Sequence, residues 1–181
     1  MNSILLFFFF VFIISNRYAN SYGSNSLAAY TIGYNIWIFS SFFIDGFSNA
    51  GNALAGKFLG ENDPFKLKLL GEKLLKINLL ISFILSGIYL VCYPIIGEIF
   101  NQNTQVLSIF KSTFWIVIIA QPFNSIAFTF DGIFKGLGKA LYLRNTLIIG
   151  SVFVFTPILL VLDHLDFQLS SIWAAMAGWM V

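Results

Sequence analysis

The sequence predicts an all-α integral membrane protein, and three observations carry that prediction. Of its 181 residues, 58% are hydrophobic and only 10% charged, against about 25% charged in soluble domains. The charged residues are gathered between long apolar runs instead of being spread along the chain. Most of those runs reach the roughly 20 residues that cross a ~30 Å hydrocarbon core. Backbone polar groups in lipid must be satisfied within the segment, so runs of this length are helices and not strands.

The apolar stretches predict helices over about 1–14, 27–56, 74–100, 107–134, 141–162 and 169–181. The first, Ile4 to Ile14, has the length of a signal-peptide core. Met1-Asn2-Ser3 carries no basic residue, however, and no clear small-x-small cleavage pattern follows, so it reads as the remainder of a transmembrane helix. The second ends in small residues (Ala50, Gly51, Ala53, Ala55, Gly56) that allow a neighbouring helix to approach closely. Asp63-Pro64 is a helix-start signal. After it, Phe65, Leu67, Leu69, Leu70, Leu74 and Leu75 interleave with Lys66, Lys68, Lys73 and Lys76. That pattern predicts an amphipathic stretch at the membrane surface leading into the third crossing.

Asn101 to Thr104, Gly136 to Lys139 and Asp163 to Gln168 separate the remaining runs. Pro94, Pro122 and Pro157 fall inside them; each deletes a backbone hydrogen bond and is expected to kink its helix. The last run also stops short of a full crossing. The whole chain, 1–181, therefore reads as one domain of about six transmembrane helices, the first and last truncated.

Charge orients the helices. Lys57, Lys66, Lys68, Lys73 and Lys76 lie in or beside the connection at 57–76, and Lys135, Lys139 and Arg144 in the one at 135–144. The alternate connections hold only Arg17 and Lys111 among basic residues. Basic excess in short loops marks the cytoplasmic side, so both basic loops are expected in the cytoplasm, with the chain multi-pass in a cell (inner or plasma) membrane. A net charge of +2 without a basic, aromatic-interleaved patch excludes nucleic acid as a partner. The single Cys92 and single His164 leave no metal-ligand cluster. With no nucleophile beside a base and no phosphate loop, nothing supports an enzyme or an organic cofactor.

Two carboxylates stand in the wrong solvent. Asp45 and Asp131 each interrupt an apolar, aromatic-rich run, and each precedes a glycine in what reads as an Asp-Gly turn. An ionisable group at membrane depth costs about 3 kcal/mol and by default marks a site. At helical spacing Asp45 shares a face with Asn49, Asn52 and Gly56; Gln121, Asn124, Phe128, Asp131 and Lys135 form a second stripe. Lys135 is placed to pair with Asp131 one turn away, whereas Asp45 has no basic residue within a turn. A carboxylate in low dielectric can cycle its proton, or hold Na⁺ beside amide oxygens such as those of Asn49 or Asn124. Either would couple an ion gradient to a conformational change. The pathway candidates are therefore Asp45, Asn49, Asn52, Gln121, Asn124 and Asp131.

These residues resemble a known family. Leu27-Ala28-Ala29-Tyr30-Thr31-Ile32, Asp45-Gly46-Phe47 and Ala53 to Asp63 are similar to the multidrug and toxic compound extrusion (MATE) family, in its DinF-like branch. Gln121-Pro122 and Asp131 to Gly138 match a second stretch, and Tyr30 stands where that family usually has histidine. The resemblance implies the second lobe of a twelve-helix antiporter that exports cationic, amphipathic compounds by alternating access, driven by H⁺ or Na⁺. It also implies that the principal coupling acid lies in a first lobe outside this chain, a required partner if the protein is split. Alone, the chain is then expected to be inactive. A lipid or polysaccharide flippase of the same wider superfamily, and an inert truncated membrane protein, are the alternatives.

Overall fold

The computed structural model describes residues 2–180, and these fold into six helices joined by short connections. They are α1 (Asn2–Ser21), α2 (Ser24–Gly60), α3 (Pro64–Phe100), α4 (Thr104–Gly136), α5 (Ala140–His164) and α6 (Leu169–Met180). Among the described residues, α2, α3, α4 and α5 are long and apolar enough to cross a membrane.

Local chemistry explains where each helix stops. Asn62 takes a left-handed conformation (φ 53°) after α2, and the Asp63 N–H reaches back to the Phe58 carbonyl at 3.1 Å. Asp63 then caps α3 by accepting the Lys66 backbone N–H at 2.9 Å. That bond, with the Lys66 ammonium, holds its carboxyl below the usual carboxylate range. At the end of α4, Gly138 (φ +70°) supplies the positive φ that an L side chain resists, so the Lys139 N–H can meet the Phe134 carbonyl at 2.9 Å. Asn103 opens α4 by accepting the Gln105 N–H at 2.9 Å.

Several expectations need correction. The first helix does not end at Ile14 but runs to Ser21. Its polar residues bond back onto their own helix, Asn16 to the Phe12 carbonyl at 3.0 Å and Ser21 to that of Tyr18 at 2.7 Å, so their polarity does not break it. The lysine-rich stretch does not lie flat on a surface. It is the first three turns of α3, collinear with the crossing. Neither Asp-Gly pair is a turn: Asp45-Gly46 lies inside α2 and Asp131-Gly132 inside α4.

The three prolines stay within helices, and two of the defects they create have visible answers. Pro122 frees the Ile118 carbonyl, and the Ser86 hydroxyl of α3 donates to it at 3.0 Å. Ahead of Pro157 the helix α5 widens into a π turn over Gly150–Phe155. There the Thr156 hydroxyl and backbone N–H both bond to the Ser151 carbonyl, the hydroxyl at 2.8 Å. The wider turn relieves the pressure of the proline ring on the carbonyl four residues back.

The most extensive interface joins α2 to α4; α3 packs across both, while α6 joins α4 to α5, and α1 closes the bundle against α2, α5 and α6. The fully buried side chains include Tyr30, Phe110, Phe114, Phe155 and Ile172. At its basic end the α2–α4 interface narrows to backbone contact. A Cβ at Gly132 would collide with the Ser48 carbonyl, and one at Gly136 with the Asn52 carbonyl and the Ala55 Cβ. Gly132-x-x-x-Gly136 thus lets two helices touch where any side chain would separate them. Gly51 is closed by the Leu74 side chain of α3.

Candidate functional site

The α2–α4 crossing fixes the level of both carboxylates, because Asp45 lies one turn before Ser48 and Asp131 immediately precedes Gly132. Around them the helices leave two apolar cavities with one acid each. The first, about 520 Å³, is walled by Phe8, Phe9, Phe12, Tyr34, Trp37, Phe42 and Phe128, with Ser41 and Asp45 as its polar groups. The second, about 470 Å³, lies between α4 and α5 and carries Asp131 among Phe123, Phe128, Phe134, Tyr142 and Trp179. Phe8 and Phe128 line both, so the two spaces are neighbours separated by aromatic side chains.

The two acids have different counter-groups. Asp131 Oδ2 forms an ion pair with Lys135 Nζ one turn on, as the spacing predicted. Asp45 has no ion pair among the described residues; its partner is neutral, the Asn49 amide donating Nδ2 to Asp45 Oδ2 at 2.9 Å. Asn49 therefore turns its donor, and not its oxygen, toward the carboxylate. It supports the anion rather than completing an oxygen cage for Na⁺ with it.

The other candidates sit elsewhere. Asn52 is half-buried, with its carbonyl against Gly136 at the helix crossing. Gln121 and Asn124 are 1% exposed and line neither large cavity. Asn124 borders a void of about 10 Å³ with Trp37, Trp173 and Met176. Among the described residues neither polar atom of the Asn124 side chain has a hydrogen-bond partner, nor does Gln121 Nε2. The structure thus brings together Asp45 with Asn49 and, next door, Asp131 with Lys135. The two buried amides belong to the helix interfaces.

Sequence reading passed over a buried polar triad. Asn78 of α3 donates through Nδ2 to Ser48 Oγ of α2 at 3.1 Å and to Thr129 Oγ1 of α4 at 2.7 Å. All three residues are 0–1% exposed, so one amide pins three helices beside the close crossing. The available signal was Asn78 itself, a lone amide between Ile77 and Leu79 in an otherwise apolar run. At the opposite end the Tyr22 hydroxyl donates to Asp163 and lies 3.3 Å from Ser171 Oγ, tying the α1–α2 connection to α5 and α6. Burial, and then the bond to Asp163, push the Tyr22 phenol up to about 12.

The MatE family model matches residues 3–160. Protein DETOXIFICATION 42 of Arabidopsis thaliana is 25% identical over 143 residues, 79% of this chain and 28% of the relative. Protein DETOXIFICATION 44, chloroplastic, of the same plant is 21% identical over 165 residues, 91% of this chain and 31% of the relative. The chain therefore spans under a third of the curated relatives it matches. Among solved structures, MATE in the bent conformation superposes with a TM-score of 0.89 at 18% identity, covering 98% of this chain and 40% of that one. A MOP superfamily transporter from Pyrococcus furiosus, described as having a binding pocket of reverse polarity, superposes with 0.86 at 14% identity over 98% of this chain and 39% of that one. These superpositions extend the likeness over nearly every residue of the six-helix fold.

Proposed function

This chain belongs to the MatE family, and we propose that it forms one six-helix lobe of a membrane antiporter. On this reading the assembled transporter exports cationic, amphipathic compounds by alternating access in exchange for H⁺ or Na⁺. The observation that carries it is the cavity of about 520 Å³ in which aromatic rings surround a single carboxylate without a basic partner. Aromatic faces attract cations through their quadrupoles, the carboxylate supplies net charge, and the volume falls within the ~300–1,000 Å³ range of small-molecule sites. An anionic substrate, as a flippase would take, meets the wrong sign here, since the nearest lysine of the two cavities is already paired with Asp131.

Asp45 is the residue assigned to cation contact, with Asn49 as its positioning partner; Asn52, Gln121 and Asn124 line neither large cavity and are given no direct contact. On this reading the chain is of the DinF-like branch and sits in a cell (inner or plasma) membrane with its basic connections facing the cytoplasm. A first lobe supplies the opposite wall and the principal coupling acid. The test is co-expression with a matching first lobe and measurement of cationic-dye efflux. Efflux should appear with both lobes and fall about tenfold or more in Asp45→Asn, since a charge-assisted contact contributes about 1.5–3 kcal/mol. Undiminished efflux in that variant would remove Asp45 from the pathway.

A further inference from the structure

The lysines at the basic end divide into two sets. Lys57 pairs with Glu61, Lys66 with Glu61 and Asp63, Lys68 with Glu72, and Lys135 with Asp131. Lys73, Lys76 and Lys139 have no ion pair among the described residues, and all three are exposed; Lys139 lies over the Tyr142 ring of α5, which leaves Lys73 and Lys76 as the unpaired lysines of α3. The acid nearest them in sequence, Glu72, is ion-paired with Lys68 at 3.9 Å.

Their level along the helix is set by charge. From Lys76 to Glu98, which pairs with Lys111 of α4 at 3.2 Å, α3 rises about 33 Å at 1.5 Å per residue. From Lys111 to Asp131, α4 rises about 30 Å. Both match one hydrocarbon thickness, so Lys76 stands at its edge and Lys73 roughly 4.5 Å further out, at the depth of lipid phosphates. Lys73, Lys76, Leu80 and Phe83 are spaced three, four and three, a single stripe. Leu80 and Phe83 are each 61% exposed. The stripe therefore offers two free ammonium groups directly above a bare apolar track.

We propose that this face of α3 binds one anionic phospholipid, its phosphate held between Lys73 and Lys76 and an acyl chain lying along Leu80 and Phe83. Charge complementarity selects the occupant. A zwitterionic headgroup carries its own cation, and a soluble anion gains nothing from the apolar track below. The site is independent of the transport reading, since it uses neither cavity and neither aspartate.

The experiment titrates the purified chain in zwitterionic micelles with fluorescent phosphatidylglycerol and, separately, with the matching phosphatidylcholine. A lysine at an anionic surface is worth about a fivefold change in affinity, so K73Q/K76Q should weaken phosphatidylglycerol binding about 25-fold and leave phosphatidylcholine unchanged. Glu72→Gln should tighten it, and K57Q/K68Q, which alters only paired lysines, should leave it within about twofold. Helix content by circular dichroism checks that each variant folds. Equal affinity for the two lipids in the parent chain would overturn the proposal. So would an equal loss in K57Q/K68Q, which would mean diffuse charge, or displacement by millimolar inorganic phosphate, which would make the ligand a free anion.

Discussion

Replacing Gly132 with alanine tests how the carboxylates are held in place. The added Cβ would land on the Ser48 carbonyl oxygen, a backbone atom of α2 that cannot rotate away. The helices must therefore separate locally, and overpacking of this kind costs about 1–3 kcal/mol; contact with rigid backbone points to the upper end. Against that, alanine is favoured over glycine in a helix by about 1 kcal/mol, leaving a net loss of about 2 kcal/mol. Gly46 and Gly87 are also helical, but a Cβ there meets nothing within 4 Å, so the same change should be neutral or stabilise by up to about 1 kcal/mol. Thermal unfolding in micelles reads the difference. For a chain of this length ~2 kcal/mol corresponds to a Tm lowered by roughly 4–8 °C. Separation at Gly132 also strains the Ser48–Asn78–Thr129 bonds beside it, so Gly132→Ala and Asn78→Leu should combine to less than the sum of their effects. If Gly132→Ala and Gly87→Ala moved Tm in the same direction by similar amounts, close backbone contact would not be what joins α2 to α4.

Three further outcomes are expected. Asn78→Leu removes two interhelical hydrogen bonds while leaving Ser48 and Thr129 bonded to their own helices, and should cost about 1–3 kcal/mol by the same unfolding measurement. Ser86→Ala strands the Ile118 carbonyl freed by Pro122 and should cost about 1 kcal/mol; in a Pro122→Ala background, where that carbonyl regains its N–H, the cost should disappear. Raising the pH tests Tyr22. Its phenol ionises at about 12 in the fold and near 10 unfolded, so the folded chain retains the proton longer. The contribution of Tyr22 to stability is complete below pH 10 and is lost as pH rises toward 12. Tyr22→Phe should flatten that alkaline decline, and a parent chain whose Tm is level from pH 9 to 11.5 would refute the linkage.

The sequence was most legible where solvent and side chain disagree. Long apolar runs have one solution in lipid, so helix number and order could be read directly. The pairing of Asp131 with Lys135 followed from helical spacing alone. The differences share a physical form: polar residues and Asp-Gly pairs suggest a break locally, and the helix continues where their groups are satisfied within it or packed against a neighbour. Residues 16–21 fell outside the expected first helix because most are polar, yet Asn16 and Ser21 bond back to carbonyls of that same helix. Asp131-Gly132 looked like a turn because glycine frees the backbone, yet at this position glycine serves closeness, having no Cβ to hold α2 away. Asn78 was passed over because a single amide says nothing until two hydroxyls from other helices meet it. Those partners lie 30 and 51 residues distant, beyond the reach of any local pattern.

The same crossing bears on which aspartate is the stronger proposed contact for a cation. A charge at the bilayer centre costs about 2.5–3.5 kcal/mol and one nearer the hydrocarbon edge costs less, and the two sites offset that cost differently. Asp131 is neutralised by a covalently tethered ammonium, so an arriving cation must displace Lys135 and gains little net attraction. Asp45 is supported only by a neutral amide donor and by the openness of an aromatic cavity. On the proposed reading, a cation entering there would neutralise a charge that has no ion pair among the described residues. Because the α2–α4 contact sets both acids beside the same crossing, depth in the membrane does not distinguish them. The counter-group does. Lys135→Gln should therefore make the second cavity cation-binding without changing its shape. A lipophilic cation whose fluorescence reports binding should find one site in the parent chain, two in Lys135→Gln, and one again in Lys135→Gln combined with Asp131→Asn. A single site in all three would mean that shape, and not the missing counter-charge, selects Asp45.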